Sequence, residues 1–197
     1  MSSGYEFTTK SQLTGAVDLW ISDEALARTT YGEINTWDVS AITDFTFLFS
    51  KNRIGTTNAE NFNSDISNWN LSSALYITEM FRGAKSFNQD ISSWDVSSVG
   101  TFSKVFMNAN SFNQDLGSWD VSKWTNFYEC FAYAYQFNQD IGDWDVSNAD
   151  EFRLMFKDAT SFNQDIGNWD VSNGENFQQM FKGATSFNQD IGCREGF

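Results

Sequence analysis

The phrase SFNQDI-x-x-WDVS returns every 25 residues through most of this chain. Its tryptophans stand at Trp69, Trp94, Trp119, Trp144 and Trp169, and its phenylalanines at Phe62, Phe87, Phe112, Phe137, Phe162 and Phe187. A fixed period of this length requires units that stack, each covering its neighbour's apolar face. The most prominent side chains are therefore assigned to packing before any chemistry, and the six phenylalanines are expected to form a buried line. The period also supplies an internal reference, because a unit that departs from it stands out.

One unit, residues 137–161, serves as an example. Trp144, Asp145 and Val146 alternate apolar, polar, apolar, which predicts a short strand with Trp and Val inward. Phe152, Met155, Phe156 and Ala159 fall at i, i+3, i+4 and i+7, which predicts a short helix capped by Ser147 or Asn148. Phe137 and Ile141 flank a polar turn, Asn138-Gln139-Asp140. The unit reads as strand, short helix, turn, with the strands of successive units pairing in one thin parallel sheet. Helices this short need tertiary packing to survive. The chain has no proline, so every repeat backbone N–H can donate.

Residues 1–31 do not repeat. SQLTGAVDLWIS predicts a helix with Leu13, Ala16, Val17 and Trp20 on one face, and DEALART a second, together a helical cap. Residues 32–197 form the repeat array, within one structural domain: a degenerate first repeat over 32–61, regular repeats over 62–186, and an incomplete last repeat over 187–197. In that last repeat Arg194 stands where Trp is expected. Trp37 and Trp69 are 32 residues apart, so seven extra residues are read as a surface loop around Lys51–Asn58.

The formal charge of −14 argues against nucleic acid and against docking on anionic lipid. No apolar run approaches the ~20 residues of a membrane span, and the start MSSGYEFTTK lacks a signal-peptide apolar region. With no histidine, the commonest general base and metal ligand is missing. No catalytic residue, no cofactor and no enzymatic activity are expected. Cys130 occupies a slot filled elsewhere by Met80, Val105, Met155 and Met180, and reads as a small buried hydrophobe. Cys193 is more than two repeats away, so no disulfide is expected between them.

Asp65, Asp90, Asp115, Asp140, Asp165 and Asp190 form one row, and Asp95, Asp120, Asp145 and Asp170 another, with Asn70 in one unit. Like charges stacked about 5 Å apart repel and need backbone N–H groups or a bound cation. Calcium suits such oxygens, which makes Asp90, Asp115, Asp140 and Asp165 weak candidates. The turn lacks the Gly-Gly-x-Gly-x-Asp pattern of calcium-binding repeats, so carboxylates fixing turn amides is the simpler assignment. The row Asn63, Asn88, Asn113, Asn138, Asn163 and Asn188 is assigned to bridging adjacent coils.

The pattern breaks in unit 112–136. Trp124 stands where other units have Val99, Ala149 and Gly174, and Tyr128 where they have Ser103, Arg153 and Gln178. Tyr133 replaces Asn108, Asp158 and Gly183, and Tyr135 replaces Asn110 and Thr160. Trp124 and Tyr128, four apart, share a face if this stretch is helical. Exposed aromatics of this kind suit a protein or sugar contact. The competing assignment is that they cover a neighbouring loop.

FNQDIS-x-WDVS followed by MF-x-x-A resembles the BspA-like, leucine-rich-repeat-type surface proteins, a mycoplasma-type domain of unknown function. Phe87, Asn88, Asp90, Ile91, Trp94, Asp95, Val96 and Ser97 and their equivalents over about 34–191 carry the resemblance. It implies an extracellular or cell-surface array used in adhesion or protein binding. The fold expected is an α/β, right-handed, leucine-rich-repeat-like solenoid of strand–short helix–turn units with a helical N-terminal cap. The function expected is a non-catalytic scaffold for a protein or glycan partner. The rivals are a structural protein that self-associates end to end and a calcium- or glycan-binding module.

Overall fold

The computed structural model describes residues 4–53 and 58–192. Cys193, Arg194 and the part of the extra loop at 54–57 lie outside the described residues. The first regular element, α1, runs over Lys10–Ser22. Thr9 starts it with a reciprocal cap: its hydroxyl accepts from the Gln12 amide at 3.3 Å, and the Gln12 side chain accepts from the Thr9 amide at 3.2 Å. Leu13, Ala16, Val17 and Trp20 form its buried face, as their spacing indicates. A second helix, α2, covers Glu24–Tyr31 after an Asp23 cap. Trp20 packs edge-on against Trp37 with ring centroids 5.7 Å apart, which joins α1 to the first coil.

Beyond Tyr31 the backbone is mostly non-regular, and this overturns the α/β strand–helix solenoid. Among the described residues there is no strand, only four isolated parallel bridges: Glu6 to Asp38, Asp44 to Tyr76, Asn126 to Glu151, and Glu151 to Asn176. The stretches expected to be helical are runs of turns. The reason lies in the backbone accounting. In unit 112–136 the amides of Phe127, Glu129, Phe131 and Tyr133 donate to the next coil, to the carbonyls of Glu151, Arg153, Met155 and Lys157, at 2.8, 3.1, 3.0 and 2.7 Å. The alternate amides of Cys130, Ala132 and Ala134 loop back three residues, to Phe127, Glu129 and Phe131. A helix would send every one of these amides four residues back.

Left-handed residues make this alternation possible. Glu129 and Tyr133 have φ of 52° and 61°, and their counterparts Lys104 and Asn108 have 56° and 59°. Such a residue every fourth position stops a right-handed helix from propagating. The apolar spacing is nevertheless kept, because two successive turns return side chains to the interior about as often as a helix does. Phe152, Met155, Phe156 and Ala159 are all fully buried without being helical.

The repeated coils stack in register through their side chains. Phe62, Phe87, Phe112, Phe137, Phe162 and Phe187 form a ladder of parallel rings with centroids 5.9, 6.0, 6.1, 6.0 and 5.9 Å apart. The first five are buried, and Phe187 is half-buried. A second ring row, Phe81, Phe106, Phe131, Phe156 and Phe181, lies against it, with Phe131 and Phe137 only 4.0 Å apart. Each repeat Trp is buried and gives its indole N–H to the coil before it: Trp94 to the Ile66 carbonyl, Trp119 to Ile91, Trp144 to Leu116 and Trp169 to Ile141, at 3.0–3.2 Å. Each such bond contributes about 1 kcal/mol net, and its loss would leave a buried donor unsatisfied.

Polar ladders run along the stack as well. The Asn113 side-chain oxygen accepts from the Asn138 backbone amide at 2.9 Å and from the Gln139 side chain at 3.0 Å. Asn63, Asn88, Asn138 and Asn163 repeat this contact with the following coil. Burial drives the Cys130 thiol well above its ordinary pKa, which leaves it an inert part of the core.

Candidate interaction face

Each coil carries an eight-residue turn segment, following Phe45, Ile77, Phe102, Phe127, Phe152 and Phe177: 46–53, 78–85, 103–110, 128–135, 153–160 and 178–185. Stacking sets these segments side by side along one face. Their inward residues are the core Leu, Met, Val or Cys, the Phe and the Ala; Ser50, Glu79, Gly83 and Ala132 are buried as well, and most of the remaining side chains reach the surface. Eight of the chain's twelve Lys and Arg residues fall in these segments, against only three carboxylates, Glu79, Glu129 and Asp158. The face is therefore basic on a chain whose net charge is −14. The cation excess favours an acidic partner and is screened by salt.

Three of the four pattern-breaking aromatics lie in this face. Tyr128 is half-buried and flanked by two cations, the Arg153 guanidinium 4.4 Å and the Lys104 ammonium 5.0 Å from its ring centre. Burial first, and then the Glu129 carboxylate beside it, raise its hydroxyl pKa. Lys104 also sits between Glu79 at 3.7 Å and Glu129 at 4.0 Å. Tyr133, one turn further, carries Lys157 over its ring at 5.0 Å, and the hydrogen bond between them raises the Lys157 pKa. Tyr135 is 41% exposed.

Trp124 is not in this face, and it does not share a helix with Tyr128. It is 0% exposed, stacked on Phe102 at 4.3 Å and edge-on to Trp119 and Trp144. The slots above and below it in the stack are the small Val99 and Ala149, which give the larger ring its room. Its indole N–H has no hydrogen-bond partner.

The Asp rows are turn fasteners in geometry. Asp90, Asp115, Asp140 and Asp165 each accept the backbone amide two residues ahead, at Ser92, Gly117, Gly142 and Gly167, at 2.8–2.9 Å. Asp95, Asp120 and Asp145 do the same for Ser97, Ser122 and Ser147 and also take the serine hydroxyl. Asp115 and Asp140 flank, with Asp143, a hollow of about 240 Å³. Among the described residues no three carboxylates or thiols converge as a metal site would need. A larger cleft of about 710 Å³ separates Lys10 and Thr14 of α1 from Phe47 and Arg53, and the Asp18 and Asp44 carboxylates pair its Arg53 and Lys10.

The turn fasteners set an acid limit on stability. Hydrogen bonds from the serine hydroxyl, above all, hold Asp38, Asp90, Asp95 and Asp120 below the ordinary aspartate pKa. A carboxylate depressed on folding contributes stability above its unfolded value of about 3.9, and that contribution is lost as pH falls through the folded value. The melting temperature is therefore expected to fall as pH drops below about 4. Asn70 holds the Ser72 amide at 3.0 Å without a charge, so Asp→Asn at positions 90, 95 and 120 should keep the turns and flatten that fall. An equal fall in the triple variant would break the link.

Comparison with known proteins gives one match. The family model described as "Mycoplasma protein of unknown function, DUF285" matches residues 22–134 and, overlapping these, 118–195. No curated protein and no solved structure matches the chain.

Proposed function

The chain belongs to this DUF285 family, and we propose that it is a non-catalytic scaffold that binds a partner protein through its basic, tyrosine-bearing turn face. The observation that carries this reading is the juxtaposition of Tyr128 with Lys104 and Arg153, and of Tyr133 with Lys157, on stacked segments, with Tyr135 exposed beside them. Rigid presentation is the mechanism. The ring and amide ladders hold the coils, and the outward positions of the turn segments are free to vary without touching the core. Tyrosines flanked by cations supply flat contact area and charge at small entropic cost. The partner surface that fits is acidic. The resemblance to BspA-like surface proteins supports display at the cell surface and a role in adhesion.

The test is to isolate a partner from cell-surface extract on the immobilised protein and measure its affinity by surface plasmon resonance. The double variant Tyr128→Ser, Tyr133→Ser should keep its melting temperature within a few degrees, since neither ring reaches the interior. It should weaken binding by roughly thirtyfold, the equivalent of about 2 kcal/mol for hot-spot residues. Added salt should weaken the wild-type complex. Equal affinity for both proteins, with no salt dependence, would exclude this face.

A further inference from the structure

The basic face is not uniform. At its first three turn segments, Lys51, Arg82 and Lys85 converge on a cavity of about 180 Å³ that Asn52, Gly83 and Asn108 complete. We propose that this cavity is a binding site for a tetrahedral oxyanion, a sulfate or phosphate group, free or as a small sugar ester. The site stands apart from Tyr128 and Tyr133, and its test does not depend on the scaffold reading.

The cavity is formed by the fold. The Lys51 amide donates to the Arg82 carbonyl at 3.0 Å, which brings the two residues abreast on neighbouring coils. Gly83 has φ of 75°, and a Cβ there would lie 3.1 Å from Lys51 Cβ and Cδ. The glycine therefore makes the space along which the Lys51 stem runs. The Glu79 carboxylate holds Arg82 at 2.7 Å. With the Asn52 amide turned so that its oxygen faces the guanidinium, that oxygen accepts from Arg82 Nε at 2.9 Å. Arg82 is thus anchored from two sides.

The charges at the rim are unequal. Lys51 and Lys85 share one carboxylate, Glu60, at 3.5 and 3.0 Å. Each ammonium has three donors, so one carboxylate between two ammoniums leaves both charge and donors to spare. Glu60 itself demonstrates that an oxyanion can bridge the two lysines. The volume equals about six waters at roughly 30 Å³ each, which is room for one tetrahedral ion with part of its hydration.

The experiment titrates inorganic sulfate, at ionic strength held constant with sodium chloride, and follows the Gly83 and Arg82 amide signals by NMR. Sulfate stabilises proteins generally, so the site is read from local, saturable shifts. Wild type should saturate, and Lys51→Gln, Lys85→Gln should weaken binding at least tenfold. Lys157→Gln, Lys182→Gln, cations further along the same face, should leave it unchanged. Glu60→Gln should tighten it, because the competing carboxylate is gone. Glucose 6-sulfate against glucose identifies the source: binding of the ester supports a sugar-borne group, and binding of the inorganic ion alone supports a free one. Unsaturable shifts, or equal affinity in wild type and the Lys51/Lys85 variant, would overturn the site.

Discussion

Trp124→Ala is expected to cost about 3–5 kcal/mol of folding stability, the range for emptying a large buried aromatic site. The ring is fully buried among Phe102, Trp119 and Trp144. Val99 and Ala149, its neighbours along the stack, are too small to close the void. Trp124→Phe separates packing from polarity. It keeps most of the ring contact and removes an indole N–H that has no partner. An unsatisfied buried donor costs about 1–3 kcal/mol, so the phenylalanine variant should lie within about 1 kcal/mol of wild type, on either side. Urea unfolding of the three proteins checks both statements. A Trp124→Ala protein as stable as wild type would return this residue to the surface.

The second large effect concerns the backbone at Leu154, whose φ is 59°. Alanine, glycine and valine at this position should rank glycine most stable, alanine next and valine last. A left-handed L-residue pays roughly 1–2 kcal/mol that glycine avoids, and a β-branched side chain tolerates the region least. The span from glycine to valine should reach about 2 kcal/mol or more. Were the segment helical, the ranking would change at its ends: alanine would lead, and glycine would trail it by about 1 kcal/mol. Thermal melts of three variants therefore distinguish stacked turns from the helix that the apolar spacing suggests.

That spacing is where sequence and structure part. The 3.6-residue pattern of Phe152, Met155, Phe156 and Ala159 reports only which residues face inward, and it was right about all four. It carries no information on where amides donate, and here every second one leaves the segment for the next coil. In α1 the same kind of pattern did give a helix, because no coil competes for its amides and Thr9 and Gln12 cap its start. The ladders were legible because each row repeats: the phenylalanine and asparagine rows lie where a constant period places them.

The candidate face was legible in part. Tyr128, Tyr133 and Tyr135 could be picked out as departures from the repeat, and all three reach the surface. The burial of Trp124 is not legible in its slot, where small residues suit either location. Val99, Ala149 and Gly174 are all small, and smallness at a repeat position marks an interior with limited room as well as an exterior with none. The clustering of cations forms no single row in the repeat, because Lys51, Arg82 and Lys85 stand at the sixth, fifth and eighth positions of their turn segments. Only stacking the segments brings Lys51, Arg82 and Lys85 to one cavity.

The passage of amides between coils, forward from the turn segments and backward elsewhere, also governs how this chain tolerates changes in length. The rungs join residues 24 to 26 apart in the regular units, so a gain or loss of one residue inside a unit would misalign the rungs that span it. A whole unit of 25 can be added or removed at the cost of one set of rungs. The longer interval from Trp37 to Trp69 obeys the same arithmetic: its amides still reach across, from Phe45 to Tyr76 through Lys51 to Arg82, before the added residues begin. Length in such a molecule comes in fixed increments, and smaller changes are admitted only at the joint where one coil has finished donating and the next has not begun to accept.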